Sequence, residues 1–216
     1  MLDAGAAERY ITSMSGTPRL IVGISGASGV VYGIRLLQIL RPLPIETHLV
    51  MSRSAEVTLA YETDLKAADV RALADVAHSP QDIGAAISSG SFRTLGMVVA
   101  PCSMRSLSEI ATGVTSTLLT RAADVVLKER RRLVLMVRET PLHLGHLRSM
   151  VAVTEMGAIV YPPVPALYAL PGSVDEMVDH TVGRVLDLFD IETDRVRRWR
   201  DPAAPAPVPP VAADGD

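Results

Sequence analysis

The chain has one cysteine, few aromatic residues, little net charge and no long apolar run, and each shortage excludes a class of protein. The single cysteine, Cys102, rules out an intramolecular disulfide and is typical of a reducing compartment. A net charge of −3 gives no electrostatic basis for binding nucleic acid. No apolar stretch approaches the roughly 20 residues that span a bilayer, and the N-terminus lacks the pattern of a signal peptide. We therefore predict a cytoplasmic protein that binds neither nucleic acid nor membrane.

The length and composition fit one domain with a less ordered segment at each end. At 216 residues, with 48% hydrophobic and 21% charged, the chain can bury a substantial core. We predict a flexible leader over residues 1–18 and a single α/β domain over residues 19–200. Residues 201–216 are mostly Pro, Ala and Val, with little to fold around, and we predict a disordered tail there.

Within the domain, short apolar runs alternate with amphipathic helical patterns. The runs predicted to be strands are Arg19–Ile24, Ile45–Met51, Met97–Ala100, Leu133–Val137 and Ala158–Tyr161. The predicted helices are Val30–Leu40, Ser54–Glu62, Ala67–Ala74, Ser103–Ala111, Leu118–Arg130, Leu144–Met156 and Val174–Asp190. This alternation implies parallel strands joined by right-handed crossovers, and hence a three-layer α/β/α sandwich with a mainly parallel sheet.

The first predicted strand runs into a loop of small residues, 25–29, which opens a helix. The free N–H groups at a helix N-terminus bind anions, glycine lets a phosphate approach the backbone, and the hydroxyls of Ser25 and Ser28 add donors. Polar residues also follow later strands, at Ser52, in 101–106 and at Arg138. Ligands of such sheets bind outside the carboxyl ends of the strands, so we expect these segments to form one nucleotide-type site.

The spacing of the glycines narrows the choice of phosphorylated ligand. A dinucleotide fingerprint needs Gly-x-Gly-x-x-Gly and an acid at the end of the second strand. Here the glycines are Gly26, Gly29 and Gly33, and the second strand ends in Ser52 and Arg53. This disfavours NAD, and the absence of Gly-Lys-Ser/Thr after the loop disfavours ATP hydrolysis. A mononucleotide such as FMN, which needs one phosphate pocket and a flat slot, is compatible with the pattern.

Several separated motifs resemble those of the UbiX-type flavin prenyltransferases, members of the wider flavoprotein family. They are GISGASG at 23–29, ETHLVMS at 46–52, PCSM at 101–104, LTRAADVVLKE at 119–129, RETPLH at 138–143 and PPVPALY at 162–168. The resemblance implies a flavodoxin- or Rossmann-like sheet in a flavin-binding domain. It also implies a homo-oligomer, expected to be a dodecamer, with sites at subunit interfaces.

The resemblance further implies a metal-independent reaction. The dimethylallyl group of dimethylallyl phosphate would be joined to reduced FMN, and the product, prenylated FMN, would serve a UbiD-type decarboxylase. The residues that would hold FMN are Gly26, Ala27, Ser28, Ser52, Ser103, Met104, Arg105, Ser106 and Arg138.

The resemblance also indicates which residues would bind the prenyl donor and which would take part in the reaction. By the same resemblance, Tyr168 and Arg184 would bind dimethylallyl phosphate, and Arg121 and Lys128 would add positive charge around its phosphate. Glu139 would be the acid/base that manages phosphate protonation. Glu62 would be a secondary carboxylate from a neighbouring subunit, and Ser28 would also belong to the catalytic group.

The chain departs from the family pattern in one place. Lys-Thr usually follows the Cys-Ser-Met segment in this family, whereas this chain has Arg105-Ser106. The charge and the hydroxyl are kept, but Arg and Lys differ in shape and donor geometry. We expect a change in flavin affinity rather than in the reaction.

Some residues also have plainer interpretations when they are considered without the resemblance. Arg121 and Lys128 lie seven apart on a predicted helix, and such a stripe is usually a solvated face. His143 and His146 lack a third ligand, so we predict no metal site. Cys102 has no readable histidine partner and fits a packed small residue better than a nucleophile.

Two other functions compete with prenyl transfer. An FMN-dependent cysteine-type decarboxylase usually has a histidine near the first helix and a Pro-Ala-Ser-Ala-Asn-Thr-like segment. This chain has PCSMRS at 101–106 and no histidine between Gly29 and Arg41. A flavodoxin-like electron carrier usually sandwiches its flavin between aromatic rings, and only 4% of this chain is aromatic.

Overall fold

Six parallel strands form the central sheet of the computed structural model, which describes residues 16–199. The strands are β1 Arg19–Ile24, β2 Glu46–Met51, β3 Val76–His78, β4 Gly96–Cys102, β5 Arg132–Val137 and β6 Ile159–Val160. Their order across the sheet is β3-β2-β1-β4-β5-β6, and every neighbouring pair is parallel. The predicted tail, 201–216, and nearly all of the predicted leader, 1–18, lie outside the described residues.

Helices cover both faces of the sheet, as predicted for a three-layer sandwich. They are α1 Val30–Leu40, α2 Arg53–Glu62, α3 Ala67–Arg71, α4 Met104–Thr112, α5 Leu118–Lys128, α6 Leu144–Glu155 and α7 Val174–Asp187, with 3₁₀ turns at Ala86–Ser88 and Leu167–Ala169. Within residues 16–199, no helix combines the length and hydropathy needed to cross a membrane.

The strands divide their side chains between two apolar cores. In β1, Leu20, Val22 and Ile24 pack into the core shared with α1, α2, α3 and α7, whereas Ile21 packs into the core shared with α4, α5 and α6. This alternation follows from the period of two along a strand. Because both faces are buried, the strands read as nearly continuous apolar runs, and this is why most of them were predictable.

The sequence prediction missed strand β3. Its three residues are too few to show an alternation, and two of them are exposed at the edge of the sheet. The strand is held by polar contacts with β2: the Asp75 carboxylate accepts hydrogen bonds from the backbone N–H of Thr47 (2.7 Å) and from its hydroxyl (2.8 Å). The rings of His48 and His78 also hydrogen-bond, at 3.0 Å between nitrogens. Such side-chain pairing has no signature in hydropathy.

Candidate functional site

The strand order places a crevice between β1 and β4. From β1 the chain winds outward to β2 and β3, and from β4 it winds the other way to β5 and β6. The loops that leave β1 and β4 therefore diverge onto opposite faces of the sheet. Ligands of doubly wound sheets bind at such a point, outside the carboxyl ends of the strands. The predicted segments 25–29 and 103–106 flank this crevice.

Ser25 joins the two loops. Its hydroxyl donates to the carbonyl of Pro101 (2.8 Å) and accepts from the backbone N–H of Ser103 (2.7 Å), while its own N–H also donates to Pro101 (3.2 Å). The residue is only 1% exposed. The expectation that the Ser25 hydroxyl would serve a ligand was wrong, because both of its hydrogen-bonding roles are used inside the protein.

We call these contacts among Ser25, Pro101 and Ser103 the joint. Backbone hydrogen bonds also connect the neighbouring strand ends to it. The N–H of Ser52, after β2, donates to the carbonyl of Ile24 (2.9 Å). The N–H of Arg138, after β5, donates to the carbonyl of Cys102 (3.1 Å). The segments predicted to hold FMN are thus brought together along four adjacent strand ends within one chain.

Three helices begin at this edge of the sheet. The Ser52 hydroxyl caps α2 by accepting from the N–H of Ala55 (3.1 Å), and the Ser103 hydroxyl caps α4 by accepting from the N–H of Ser106 (3.3 Å). Helix α1 begins after Gly29, whose φ of 99° favours glycine. Since each N-terminus carries a partial positive charge, the edge is suited to an anionic ligand.

The N-terminus of α1 already holds an oxyanion, the carboxylate of Glu62. Its oxygens accept from the N–H groups of Gly29 (2.9 and 3.0 Å) and Val30 (3.0 Å). Burial alone would raise the pKa of Glu62, but hydrogen bonds from the Ser28 hydroxyl and these N–H groups, with the charge of Arg138, lower it. We expected Glu62 from a neighbouring subunit, but here it comes from the same chain, at the end of α2.

The remaining predicted flavin-binding positions also lie in these loops. Gly26 has no room for a side chain, because a Cβ there would lie 2.4 Å from the Oγ of Ser54. Ala27 follows it in the loop, and Met104 is the first residue of α4. The Arg105 side chain is 77% exposed and pairs with Glu109 at 2.9 Å, so this guanidinium points away from the joint.

Two tyrosines that the sequence reasoning did not assign to the site connect it to the predicted donor residues. The pKa of Tyr32 is raised by burial and lowered in part by the charge of Arg138. The pKa of Tyr161 is also raised, mainly by burial. The charge of Arg184 lowers it in part, whereas Tyr168 and Tyr32 raise it further. Both tyrosines pack against the core shared with α1, α2, α3 and α7. The signal available in the sequence was the position of Tyr161 directly after β6.

Arg121, Lys128 and Glu139 have local partners. Arg121 pairs with Asp124 on its own helix (2.6 Å), and Lys128 pairs with Glu129 next to it. Lys128 ends α5, just before β5 begins, so it lies at the opposite edge of the sheet from the joint. Glu139 follows β5 at the correct edge, where its carboxylate accepts from the N–H of Thr140 (2.9 Å). One chain does not bring Lys128 to the loop residues.

The described residues contain no cluster of His, Cys, Asp or Glu that could hold a metal ion. The rings of His143 and His146 lie with their centroids 3.6 Å apart and are tilted by 33°, and the Nδ1 of His143 accepts from the N–H of Gly145 (3.0 Å). Cys102 is fully buried, and burial raises the pKa of its thiol to about 12. Neither feature supplies a ligand set or an activated nucleophile.

The doubly wound sheet and the helix N-termini around its crevice define an α/β protein built to bind a phosphorylated ligand. The profile of the family described as Flavoprotein matches residues 9–188, and the chain belongs to this family. The flavin prenyltransferase UbiX of Escherichia coli strain K12 is 62% identical over 185 residues, which cover 84% of this chain and 98% of that protein.

Two solved structures agree with this grouping. AnUbiX (PadA1), in complex with FMN and dimethylallyl pyrophosphate, superposes with a TM-score of 0.84 at 53% identity, covering 85% of this chain and 98% of that one. A dodecameric FMN-dependent UbiX-like decarboxylase from Escherichia coli O157:H7 superposes with a TM-score of 0.83 at 53% identity, covering 85% and 100% of the two chains. Sequence and fold thus place the chain among the UbiX-type flavin prenyltransferases.

Proposed function

We propose that this protein transfers the dimethylallyl group of dimethylallyl phosphate to reduced FMN, giving prenylated FMN for a UbiD-type decarboxylase. The observation that carries the proposal is the joint at the ends of β1 and β4, where Ser25 ties loop 25–29 to Ser103. This joint gathers helix N-termini around a crevice in a chain that is 62% identical to a flavin prenyltransferase. The flavin is a substrate here, held by residues of the domain 19–200.

The flavin-binding residues we propose are those around this joint. Their hydroxyls and backbone N–H groups, together with the guanidinium of Arg138, are suited to a phosphate and to the polar edge of a flavin. They are Gly26, Ala27, Ser28, Ser52, Ser103, Met104, Arg105, Ser106 and Arg138. The oxyanion of Glu62 on α1 supports the idea that this edge accepts negative charge.

In the proposed reaction, the bond between the prenyl carbon and the phosphate oxygen breaks and the prenyl carbon bonds to the flavin. An allylic cation develops as inorganic phosphate leaves, so the site must hold the phosphate, shield the cation and exclude water. We assign Arg184 to the phosphate and the ring of Tyr168 to the prenyl chain. Glu139 would control the protonation of the departing phosphate, and Ser28 and Glu62 would act beside the flavin.

The cations Arg121 and Lys128 would come from adjacent chains. Lys128 lies at the far edge of the sheet from the joint, about one strand length, or roughly 20 Å, away. We therefore propose a homododecamer with sites at subunit interfaces, as one relative of this fold is dodecameric. A cytoplasmic location is consistent with the one buried, unpaired cysteine.

An anaerobic assay tests the reaction. Purified protein, reduced FMN and dimethylallyl phosphate are incubated, and the extracted flavin is analysed by mass spectrometry. We expect a protein-dependent gain of one five-carbon prenyl unit. A flavin of unchanged mass, with FMN binding confirmed and the pyrophosphate donor also tried, would contradict the proposal.

The acid/base role is tested with Glu139→Gln in the same assay. We expect a loss of about 100-fold or more in rate, the size typical of a removed general acid or base, with FMN affinity unchanged. Glu155→Gln, at the exposed end of α6, is the matched control and should behave as wild type. Unchanged turnover in Glu139→Gln would remove this residue from the mechanism.

The competing functions predict other products. A cysteine-type decarboxylase would release carbon dioxide from a peptide, and an electron carrier would leave the flavin mass unchanged. The relatives named as flavin prenyltransferases do not favour either alternative.

A further inference from the structure

The segment after α7 folds back across that helix, and we name residues 193–199 the C-terminal strap. The crossing point is Gly183. A Cβ at this position would lie 2.6 Å from the Cγ2 of Val196 and 3.1 Å from the Oγ1 of Thr193. The strap therefore packs so closely on α7 that a side chain at the crossing would displace it.

His180 fastens the strap to the part of the chain that carries Tyr168. Its Nε2–H donates to the carbonyl of Arg197 (3.2 Å), which fixes this tautomer, and the residue is only 6% exposed. The edge of its ring also meets the ring of Tyr168, with centroids 5.8 Å apart at 85°. One buried histidine thus contacts both the strap and the 3₁₀ turn 167–169.

The strap contacts the same turn directly. The guanidinium of Arg197 donates to the carbonyl of Ala169 (3.1 Å). The ring of Trp199 meets the ring of Tyr168 edge to face, with centroids 5.3 Å apart. Tyr168 is therefore held between a residue of α7 and a residue of the strap, and its ring direction depends on both.

A second fastening point involves the other predicted donor residue. The carboxylate of Asp187 accepts two hydrogen bonds from Arg198, each of 3.0 Å, and also pairs with the guanidinium of Arg184. The Asp187 side chain is only 13% exposed. The strap thus reaches both residues to which we assign dimethylallyl phosphate.

We propose that His180 is a positioning residue for the prenyl donor: by fastening the C-terminal strap to α7, it fixes the ring direction of Tyr168. This inference rests on the proposed function of Tyr168 and Arg184. His180 itself does not touch the flavin or the donor in this assignment. Its effect should appear in donor binding and leave the chemical step and FMN binding unaltered.

The test compares His180→Phe, His180→Gln and Gly183→Ala with wild type and with Thr181→Val. His180→Phe keeps a ring beside Tyr168 but removes the donor to Arg197, and His180→Gln restores an N–H donor. Gly183→Ala displaces the strap without touching His180. Thr181→Val is the matched control, because the Thr181 hydroxyl bonds only within α7, to the carbonyl of Met177 (2.7 Å).

Two readouts are measured on the full chain. The first is the KM for dimethylallyl phosphate and the kcat, at saturating reduced FMN. The second is the fluorescence anisotropy of Trp199, the only tryptophan of the chain, which reports how firmly the strap holds this ring without any need for activity. The Kd of FMN is measured alongside.

We expect His180→Phe and Gly183→Ala to raise the KM about five-fold, the effect of one lost hydrogen bond, with kcat and the Kd of FMN unchanged. Both should lower the fluorescence anisotropy of Trp199, because its ring is freed from Tyr168, whereas His180→Gln and Thr181→Val should resemble wild type. An unchanged KM in His180→Phe, or an unchanged anisotropy, would overturn the positioning role. An inactive wild type that still binds FMN would instead overturn the proposed function on which it rests.

Discussion

The two ends of the central sheet differ in almost every respect. At the carboxyl ends of the strands, small polar residues, helix N-termini and backbone hydrogen bonds converge around the buried Ser25. At the opposite end lies a large cavity of about 760 Å³, whose lining includes Leu95, Phe189 and Arg132. None of the predicted site residues lines that cavity. We therefore place the proposed site by the direction of the strands and not by the size of a cavity.

Some of the proposed site residues lie close together within one chain, whereas others lie at the opposite edge of the sheet. The loops after β1, β2, β4 and β5 meet because parallel strands bring their carboxyl ends to one edge. Lys128 ends a helix that runs back to the other edge, so the same geometry carries it away. The proposed site is thus half complete in a single chain, and variants in the two halves should behave differently.

The largest effect we expect is in a complementation experiment between the two halves. Lys128→Ala and Arg138→Ala should each lose about 100-fold in kcat/KM, the first because it removes charge beside the departing phosphate and the second because it weakens the hold on FMN. Co-expressed, they should regain part of the activity, because mixed oligomers contain sites with both residues intact. The pair Arg138→Ala and Ser103→Ala, in the same half, is the control and should regain nothing. Equal recovery in both pairs, or in neither, would contradict the division.

The next effect concerns the joint at Ser25. Ser25→Ala leaves the N–H of Ser103 without its acceptor in a buried place, and we expect a loss of about 2 kcal/mol in the free energy of unfolding and weaker FMN binding. Denaturant unfolding and flavin titration measure the two quantities. Ser108→Ala, on the exposed face of α4, serves as control and should change neither. A fully stable Ser25→Ala variant would refute the role of this hydroxyl in joining the loops.

A smaller effect is expected in the pH dependence of stability. Because the native pKa of Glu62 is lowered below its ordinary value of 4.5, its carboxylate stabilises the fold above that value and loses this contribution as the pH falls through the native pKa. Glu62→Gln should therefore have a lower Tm at pH 7 but a shallower loss of Tm below about pH 4.5. Parallel Tm profiles of the two proteins would contradict this assignment.

The smallest effect is expected at Cys102. Burial raises the pKa of this thiol to about 12, so it is protonated at neutral pH and unreactive. Cys102→Ala should change the rate of prenyl transfer by less than about two-fold, since the residue packs and does not react. Native protein at pH 8 should also resist a thiol-specific reagent. Rapid labelling with loss of activity would contradict this and would indicate that the Cys102 thiol takes part in the reaction.

The sequence was sufficient for the features that depend on local pattern. The strands with apolar side chains on both faces, the helices between them and the loop at 25–29 were predictable from apolar periodicity and glycine placement. The family of the chain followed from separated motifs. These patterns lie within short stretches of sequence, so they can be recognised without knowledge of tertiary contacts.

The features that escaped prediction depend on contacts between distant segments. Strand β3 is held by Asp75 and Thr47 across the strand pair, and Ser25 is occupied by residues 76 and 78 positions away. The placement of Glu62 on α1 of its own chain depends on how α2 packs. None of these partners could be inferred from spacing along the chain.

The position of bound FMN tests the central claim most directly. Crystals of the protein grown with FMN would give its location by diffraction. We predict density for the flavin in the crevice between loop 25–29 and the N-terminus of α4 at residues 103–106, beside Arg138. Flavin density in the cavity lined by Leu95 and Phe189, with the crevice empty, would contradict the account.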